Sequence, residues 1–208
     1  MSFPSEISRQ LEKGFKELAI DLDPAPFLNY LSLLHKWNHS YNLTAVRDLD
    51  SMVTRHLLDS LAIIPWVKGP AILDVGSGAG LPGIPLALYS SNWQIILLDS
   101  NGKKIRFLQE VKRSLNLNNV HIVQSRVENY HPPSAFDTVT SRAFSDLAQM
   151  LQWTSHLVHR EGIWLAMKGR YPETELASIN LPYQVESYSV PGLDGERCCV
   201  IIKNATEE

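Results

Sequence analysis

The sequence predicts an α/β fold built on a mostly parallel seven-stranded sheet, and three observations support this prediction. Short apolar β-type runs alternate with helical segments between residues 71 and 167, which is typical of parallel strands joined by right-handed crossovers. The last two β-type runs are joined by Pro-Gly-Leu-Asp-Gly-Glu, which is too short for a helical crossover and predicts an antiparallel last strand. A glycine-rich turn follows the first apolar run, where open α/β sheets bind ligands.

The individual elements follow from the apolar runs and from the polar breaks between them. The predicted strands span residues 71–75, 93–98, 120–123, 136–141, 162–167, 183–190 and 197–203. Between them we expect a helix ending near residue 89, a helix over about 102–115, and a helix with the apolar residues Leu147, Met150, Leu151 and Leu157. The last two strands should form a hairpin.

Residues 1–66 predict an N-terminal helical extension that packs on the core formed by residues 67–208. Two apolar stripes at helical spacing support it. They consist of Leu28, Leu31, Leu34 and Trp37, and of Val53, Leu57, Leu61 and Ile64. Asp50 or Ser51 is the expected N-cap of the second stripe. We therefore expect two units, the second a single compact one.

Composition excludes several classes of protein. The 208 residues are 44% hydrophobic and 20% charged, which is ordinary for a globular chain with one substantial core. No apolar run reaches the length of a membrane span, and the first residues lack a signal-peptide pattern. The only cysteines are adjacent, Cys198 and Cys199, and adjacent cysteines rarely pair. We expect a cytoplasmic protein without membrane contact and, since the histidines lack ligand spacing, without a metal.

The glycine-rich turn after residue 75 narrows the choice of cofactor. A dinucleotide loop would need glycine where Leu81 stands, and a P-loop would need lysine where Ile84 follows Gly83. The remaining pattern is Asp74, Gly76, Gly78 and Gly80. It is similar to the cofactor loop of class I S-adenosylmethionine methyltransferases, although a tight turn without a ligand remains an alternative.

A second acid fits the same reading. Asp99 ends the next β-type run, 23 positions after Gly76, close to the spacing at which a carboxylate meets ribose hydroxyls. Its alternative role is to cap the helix that begins there. The net charge of −3 argues against nonspecific binding of nucleic acid by bulk charge. A local basic patch around Lys103 and Arg113 is either an RNA contact or a solvated helix face.

Segments between about residues 37 and 203 then narrow the reading to one family. They are Trp37-Asn38, Tyr41-Asn42-Leu43-Thr44, Arg55-His56, Leu58-Asp59-Ser60, the run from Asp74 to Pro85, Asp99-Ser100, Lys103-Lys104, Arg126-Val127-Glu128, Ser141-Arg142-Ala143-Phe144, Lys168-Gly169 and Leu193-Asp194-Gly195-Glu196-Arg197. In these segments the chain resembles the bacterial 16S rRNA guanine-N7 methyltransferases, the RsmG family, formerly called GidB.

The resemblance implies the class I, Rossmann-like methyltransferase fold, S-adenosylmethionine as methyl donor and a guanine of 16S rRNA as methyl acceptor. It implies cofactor contacts at Gly76, Leu81, Val127, Glu128 and Arg142, to which the glycine loop adds Ser77 and Gly78 and the spacing adds Asp99. Arg142 could hold the methionine carboxylate or a substrate phosphate, or form a structural ion pair. The implied partner is 16S rRNA or the small ribosomal subunit, and we expect a monomer.

The substrate side is less specified by the sequence. The candidates for contact with RNA are Lys168, Arg126, Arg197 and His56, and His56 could equally be a structural histidine. Guanine N7 carries a lone pair, so we nominate no catalytic base, and Cys198 and Cys199 are expected to be buried bystanders. The alternatives are a methyltransferase acting on a small molecule and a ribosome-associated RNA-binding protein.

Overall fold

The computed structural model describes residues 5–142, 144 and 146–204, and within them seven strands form one sheet. The strands are β1 (Ala71–Val75), β2 (Gln94–Asp99), β3 (Val120–Gln124), β4 (Phe136–Ser141), β5 (Val158–Lys168), β6 (Tyr183–Ser187) and β7 (Cys198–Lys203). Their spatial order is β3-β2-β1-β4-β5-β7-β6. Strands β1 to β5 pair in parallel, whereas β7 runs antiparallel to both β5 and β6. The predicted mostly parallel sheet with an antiparallel last strand is confirmed.

Helices cover this sheet, and a helical extension precedes it as predicted. They are α1 (Ser5–Glu17), α2 (Ala25–Tyr41), α3 (Leu49–Met52), α4 (Asp59–Leu61), α5 (Gly83–Tyr89), α6 (Gly102–Ser114), α7 (Leu147–Thr154) and α8 (Glu173–Leu176). Side-chain caps start α3, α6 and α7; in α6, Asn101 accepts a hydrogen bond from the backbone N–H of Lys103, and in α7, Asp146 accepts one from that of Gln149. In the described residues, no helix combines the length and the apolarity that crossing a bilayer requires.

The N-terminal helices and one face of the sheet share a hydrophobic core. Phe27, Leu31 and Leu57 are buried in the same cluster as Ile72 and Ile95 of the sheet. The other face is covered by α7 and α8, whose apolar residues pack in a second cluster. Burying each such side chain stabilises the fold by about 1.5 to 3 kcal/mol. The division of the chain into two units at residue 66 stays a prediction.

Several boundaries differ from the sequence prediction for identifiable reasons. The cap of α3 is Asp48, not Asp50 or Ser51: its carboxylate accepts the backbone N–H of Ser51 at 2.8 Å. A π-helical turn, Val53–Leu58, interrupts the second stripe. Strand β5 begins at Val158, before the predicted start at residue 162. Its register with β4 shifts between Phe136 and Thr138, and Val158 pairs with Phe136 on the near side of this irregularity. Leu157 lies outside α7, in a short 3-10 turn between α7 and β5.

Candidate active site

The glycine loop between β1 and α5 has the backbone conformation that the sequence predicts. Gly76, Gly78 and Gly80 have φ angles of 68°, 59° and 87°, in the left-handed region that favours glycine. A Cβ added at Gly80 would lie 2.5 Å from Cγ1 of Ile84. The glycines therefore let the main chain of the loop face the adjacent clefts in a conformation that would strain other residues.

Asp74 holds the end of this loop through a hydrogen bond to the main chain. Its side chain is fully buried, and Oδ2 accepts the backbone N–H of Gly83, the first residue of α5, at 2.9 Å. Burial raises the pKa of Asp74 to about 7. Oδ1 is buried and lacks a hydrogen-bond partner among the described residues. An acceptor beside the glycine loop is thus left unused, as expected where a donor from a ligand or water can enter.

Asp99 connects the same loop to the end of β2. Its Oδ2 accepts the backbone N–H of Gly78 at 2.9 Å, and its Oδ1 accepts that of Asn101 at 2.8 Å. The ammonium of Lys104 lies 3.5 Å from Oδ2. The alternative that Asp99 caps α6 is wrong, because Asn101 provides that cap. Asp99 is left at the rim of a cleft with further lone pairs available.

Two clefts adjoin the glycine loop. The larger, which we call the cofactor cleft, has a volume of about 330 Å³. It is lined by Val75, Gly76, Leu98, Asp99, Ser100, Lys104, Ser125, Arg126, Val127, Glu128, Phe144, Gln149 and Trp153. The smaller, of about 170 Å³, is lined by Leu43, Thr44, Gly76, Ser77, Gly78, Ala79, Leu81 and Arg142. Each predicted cofactor residue thus lines one of two clefts that meet at Gly76.

The chemistry of these clefts fits S-adenosylmethionine. The carboxylates of Asp99 and Glu128 offer acceptors to hydroxyl or amino groups, while Val127 and Leu98 offer apolar surface to a base. The three glycines form a cradle that a Cβ would strain or fill, and the free Oδ1 of Asp74 lies behind it. The volume of the cofactor cleft, about 330 Å³, lies at the lower end of the range for small-molecule sites.

A third cleft, the cationic cleft, lies at the carboxyl ends of β4 and β5. Its volume is about 370 Å³. It is lined by Thr44, Val46, Arg55, His56, Asp59, Arg142, Met167, Lys168, Gly169, Tyr188 and Arg197. Four of these side chains carry a positive charge and one carries a negative charge. The cleft shares Thr44 and Arg142 with the smaller cleft at the glycine loop.

Asp59 organises the cationic cleft. Its Oδ2 lies 3.3 Å from Nη1 of Arg142, and its Oδ1 lies 3.4 Å from Nε of Arg197. The hydroxyl of Tyr188 donates to Oδ1 at 3.2 Å. Burial raises the pKa of Asp59, and the two guanidinium groups oppose that rise. The structural ion pair considered for Arg142 is therefore present, and it aims this residue at the shared part of the clefts.

The other predicted RNA residues differ in how they are held. Lys168 is nearly buried, and its ammonium pairs with Glu175 at 2.7 Å and donates to the carbonyl of Phe144 at 3.2 Å. His56 is buried, its Nε2 lies 2.9 Å from Oγ1 of Thr44, and burial lowers its pKa to about 4. His56 is therefore neutral at pH 7, which favours the structural reading.

The predicted RNA residues do not all meet in one place. Arg126 is exposed in the cofactor cleft, whereas Lys168, Arg197 and His56 line the cationic cleft. In the basic patch on α6, Arg113 pairs with Glu110 at 2.8 Å. Ala143, part of one segment that resembles the family, lies outside the described residues.

Strand β7 brings the cysteines nearer to this site than their sequence position indicates. Because β7 is antiparallel, its first residue, Cys198, lies opposite Lys168 at the carboxyl edge of β5. Both thiols are buried, and burial raises the pKa values of Cys198 and Cys199. They are therefore protonated at neutral pH and poorly suited to act as nucleophiles.

Sequence reasoning assigned no role to several residues at these clefts. They are Asp59, Thr44 and Tyr188 in the cationic cleft, and Phe144, Gln149 and Trp153 in the cofactor cleft. One signal was available for Asp59, because an acid inside an apolar helical stripe requires a buried cationic partner. Across the described parts of the chain, no three His, Cys, Asp or Glu residues are grouped to hold a metal.

The sheet order, the glycine loop after β1 and the acid ending β2 define a class I S-adenosylmethionine-dependent methyltransferase fold. The solved structure of a SAM-dependent methyltransferase from Aquifex aeolicus superimposes with a TM-score of 0.57 at 16% identity, covering 88% of this chain and 98% of that chain. At this identity the likeness concerns the fold alone.

Sequence comparison identifies the family. The family model described as GidB, rRNA small subunit methyltransferase G, matches residues 24–198. A relative named ribosomal RNA small subunit methyltransferase G, from Legionella pneumophila strain Philadelphia 1, is 59% identical over 98% of both chains. A relative of the same name from Pseudomonas aeruginosa strain LESB58 is 50% identical over 93% of this chain and 94% of its own. This chain belongs to the rRNA small subunit methyltransferase G family.

Proposed function

We propose that this protein transfers the methyl group of S-adenosylmethionine to N7 of a guanine in 16S rRNA. Membership of the rRNA small subunit methyltransferase G family and the class I fold support the donor and the class of substrate. We further propose that it acts as a cytoplasmic monomer, without a metal, on 16S rRNA or on the small ribosomal subunit.

The cationic cleft is the observation that carries the RNA part of this proposal. Arg55, Arg142, Lys168 and Arg197 line it against the single carboxylate of Asp59, in a chain whose net charge is −3. Glu175 pairs with Lys168 from the adjoining cleft, so the four cationic side chains face two carboxylates and leave an excess of positive charge beside the glycine loop. A polyanion would be attracted to this place by local charge despite the overall balance.

The chemistry at N7 requires little from acid or base groups. S-adenosylmethionine supplies an electrophilic methyl group on a sulfonium sulfur. The N7 lone pair forms the new C–N bond, the electrons of the C–S bond remain on sulfur, and no proton leaves N7. The neighbouring side chains fit this requirement, because His56 is neutral and buried and Asp59 is engaged by two arginines. Alignment and exclusion of water are then the main contributions of the protein.

Each proposed contact follows from a group at a cleft wall. On the cofactor side, Asp99 binds the ribose hydroxyls, while Val127 and Glu128 contact the apolar face and polar edge of the adenine. The backbone of the loop from Gly76 to Gly78, beside Leu81, lies along the remainder of the cofactor. Arg142 lines both the cationic cleft and the smaller cleft at the glycine loop, where it can contact the methionine carboxylate or the RNA.

On the substrate side, we propose that Lys168 and Arg197 bind phosphates or the O6 acceptor of the guanine. Arg126 is exposed beside the cofactor cleft and can contact a flanking phosphate. His56 acts by holding Thr44 in place rather than by touching RNA.

Transfer of labelled methyl groups tests this function. Purified protein with labelled S-adenosylmethionine should label small-subunit rRNA, either free or in ribosomal particles, at a guanine that becomes sensitive to reduction and aniline cleavage. The Arg197→Ala variant should reduce labelling at least about ten-fold, as expected for the loss of a charged contact worth about 1.5 to 3 kcal/mol. Arg113→Ala, which removes an ion-paired arginine on α6, is the matched control.

Four results would contradict the proposal. Absence of label in rRNA in every form would exclude the substrate. Label without aniline sensitivity would exclude N7. Methylation of small molecules without RNA would favour the small-molecule alternative, and RNA binding without turnover would favour a binding protein.

A further inference from the structure

A fourth cleft, which we call the outer cleft, adjoins the cationic cleft and has no role in the function proposed above. Its volume is about 780 Å³, and it shares Arg142, Met167, Lys168 and Gly169 with the cationic cleft. Its far side is the segment 170–175, which links β5 to α8 and includes the first three residues of α8. A ligand that fills the cationic cleft and extends along the surface would enter this space.

Tyr171 is the distinctive residue of the outer cleft. Its side chain is 55% exposed, more than any other large hydrophobic side chain in the described residues. Within those residues it makes no hydrogen bond and no ring contact, whereas Tyr30 and Tyr188 are engaged in both. The aromatic faces of Tyr171 are therefore available to a partner.

The segment that bears Tyr171 is nevertheless firmly attached. Lys168 and Glu175, on either side of it, form an ion pair at 2.7 Å, and Glu175 also accepts the backbone N–H of Leu147 at 2.9 Å. The carbonyl of Arg170 accepts a hydrogen bond from the thiol of Cys198 at 3.3 Å. The next residue is the buried Pro172, which restricts the backbone of Tyr171 to extended conformations. An exposed ring on a constrained backbone loses little entropy on binding.

We propose that Tyr171 stacks on a base of the RNA strand adjacent to the guanine that enters the cationic cleft. The proposal rests on the function proposed above and adds a residue for which that function gave no role. Aromatic rings near cationic side chains are a recurrent platform for single-stranded nucleic acid, and here the exposed Arg170 precedes Tyr171 in the chain and lines the same cleft. Glu173 is also exposed at the outer cleft, so stacking rather than net charge is what this cleft offers.

Substitution of the ring separates stacking from other roles. In the Tyr171→Ala variant, the KM for the rRNA substrate should rise about ten-fold, the equivalent of one stacked base at about 1.4 kcal/mol. Its kcat, its Kd for S-adenosylmethionine and its Tm should remain those of the wild type. Tyr171→Phe keeps the ring and should restore KM to within about two-fold. Tyr183→Ala removes a tyrosine of 44% exposure on β6 and is the matched control.

A photoreactive side chain identifies the partner directly. Tyr171→p-benzoylphenylalanine should crosslink to 16S rRNA when irradiated with unmethylated small ribosomal subunits, near the nucleotide that the wild type methylates. Crosslinking to a ribosomal protein, or to nothing, would overturn the inference. So would an unchanged KM in Tyr171→Ala. Failure of the wild type to methylate any rRNA would overturn the proposed function instead, while the crosslink would still report what Tyr171 contacts.

Discussion

The cofactor cleft and the cationic cleft meet at one sheet edge but are built in opposite ways. The cofactor cleft and the smaller cleft beside it depend on the backbone of the glycine loop. Three glycines with positive φ form this loop, and two carboxylates hold it by accepting main-chain N–H groups, largely within one continuous stretch. The cationic cleft depends on side chains from distant parts of the chain, and they converge on one carboxylate, Asp59. The first is a local property of the sequence, and the second is a property of the completed fold.

Because of this difference, a substitution should impair ligand binding in one cleft more than in the other. A change in backbone conformation should abolish cofactor binding with less effect on the affinity for RNA. Loss of a buried charge partner should disturb RNA binding with less effect on the cofactor. In a variant that damages one cleft, ligand binding in the other cleft then serves as an internal control.

Asp59→Asn should have the largest effect. It leaves the guanidinium groups of Arg142 and Arg197 without their buried partner, and breaking such an arrangement costs about 3 to 5 kcal/mol. We expect a lower free energy of unfolding in urea and an increase in KM for rRNA of at least about ten-fold. The Kd for S-adenosylmethionine should increase less than the KM, because only Arg142 of the two arginines also lines the cleft at the glycine loop. Glu110→Gln, which removes the exposed partner of Arg113, is the control.

If Asp59→Asn does not fold, Tyr188→Phe provides a milder form of the same test. It removes only the hydrogen bond to Oδ1 of Asp59, at a cost of about 1 kcal/mol. Equal weakening of cofactor and RNA binding in either variant would show that the two clefts are not independent.

Gly80→Ala should damage the cofactor cleft by about 1 to 3 kcal/mol. The substitution forces a Cβ into the left-handed region and to within 2.5 Å of Ile84. Isothermal titration should show at least about ten-fold weaker binding of S-adenosylmethionine. Gly169→Ala is the matched control, because a Cβ there meets no atom within 4 Å. Unchanged cofactor binding in Gly80→Ala would contradict a backbone-built cleft.

The two clefts should also respond to pH with opposite signs. Burial raises the pKa of Asp74 from 3.8 to about 7, so its contribution to stability is complete below pH 3.8 and is lost as the pH rises to about 7. Burial lowers the pKa of His56 from 6.5 to about 4, so its contribution is complete above pH 6.5 and is lost as the pH falls toward 4. Each slope is at most about 1.4 kcal/mol per pH unit.

Urea unfolding between pH 4.5 and 8 measures these slopes. Asp74→Asn should remove the component that falls with rising pH, and His56→Gln should remove the component that rises. Profiles parallel to that of the wild type would show that these two groups do not titrate differently on folding.

Tyr30→Phe should have the smallest effect. The hydroxyl of Tyr30, on α2, donates to the carbonyl of Ala79 in the glycine loop at 2.7 Å and is buried. Its loss leaves that carbonyl unpaired and should cost about 1 kcal/mol, with a several-fold weaker affinity for S-adenosylmethionine. Tyr41→Phe, at an exposed position of the same helix, should change neither quantity.

The sequence was informative where structure is local. The glycine loop, the acid ending β2 and the alternation of strands and helices all follow from neighbouring residues, and they predict the fold and the cofactor cleft. The N-cap of α3 was missed by two residues because Asp48, Asp50 and Ser51 are all acceptable caps by type. The π-helical turn at Val53–Leu58 leaves no periodic signal that distinguishes it from an α-helix.

The cationic cleft was only partly predictable. Lys168 could be named because its strand ends at the same edge of the sheet as the cofactor loop, and Arg197 because it belongs to a segment that resembles the family. The partner that holds Arg142 and Arg197 could not be named, since Asp59 comes from the N-terminal helices and meets them only through tertiary packing. The exposure of Tyr171 is likewise a property of the packed chain.

The contacts around Asp59 also affect the order in which the two clefts form during folding. Tyr188 meets Asp59 across 129 positions of sequence, and Arg197 lies further still. Contacts of such separation form late, because a long loop must close first. During synthesis, the segment that seats the methyl donor emerges and can fold well before β7 exists. A growing chain would therefore complete its cofactor cleft first and its cationic cleft last, so that the RNA binding proposed for the cationic cleft would begin only once the sheet is complete.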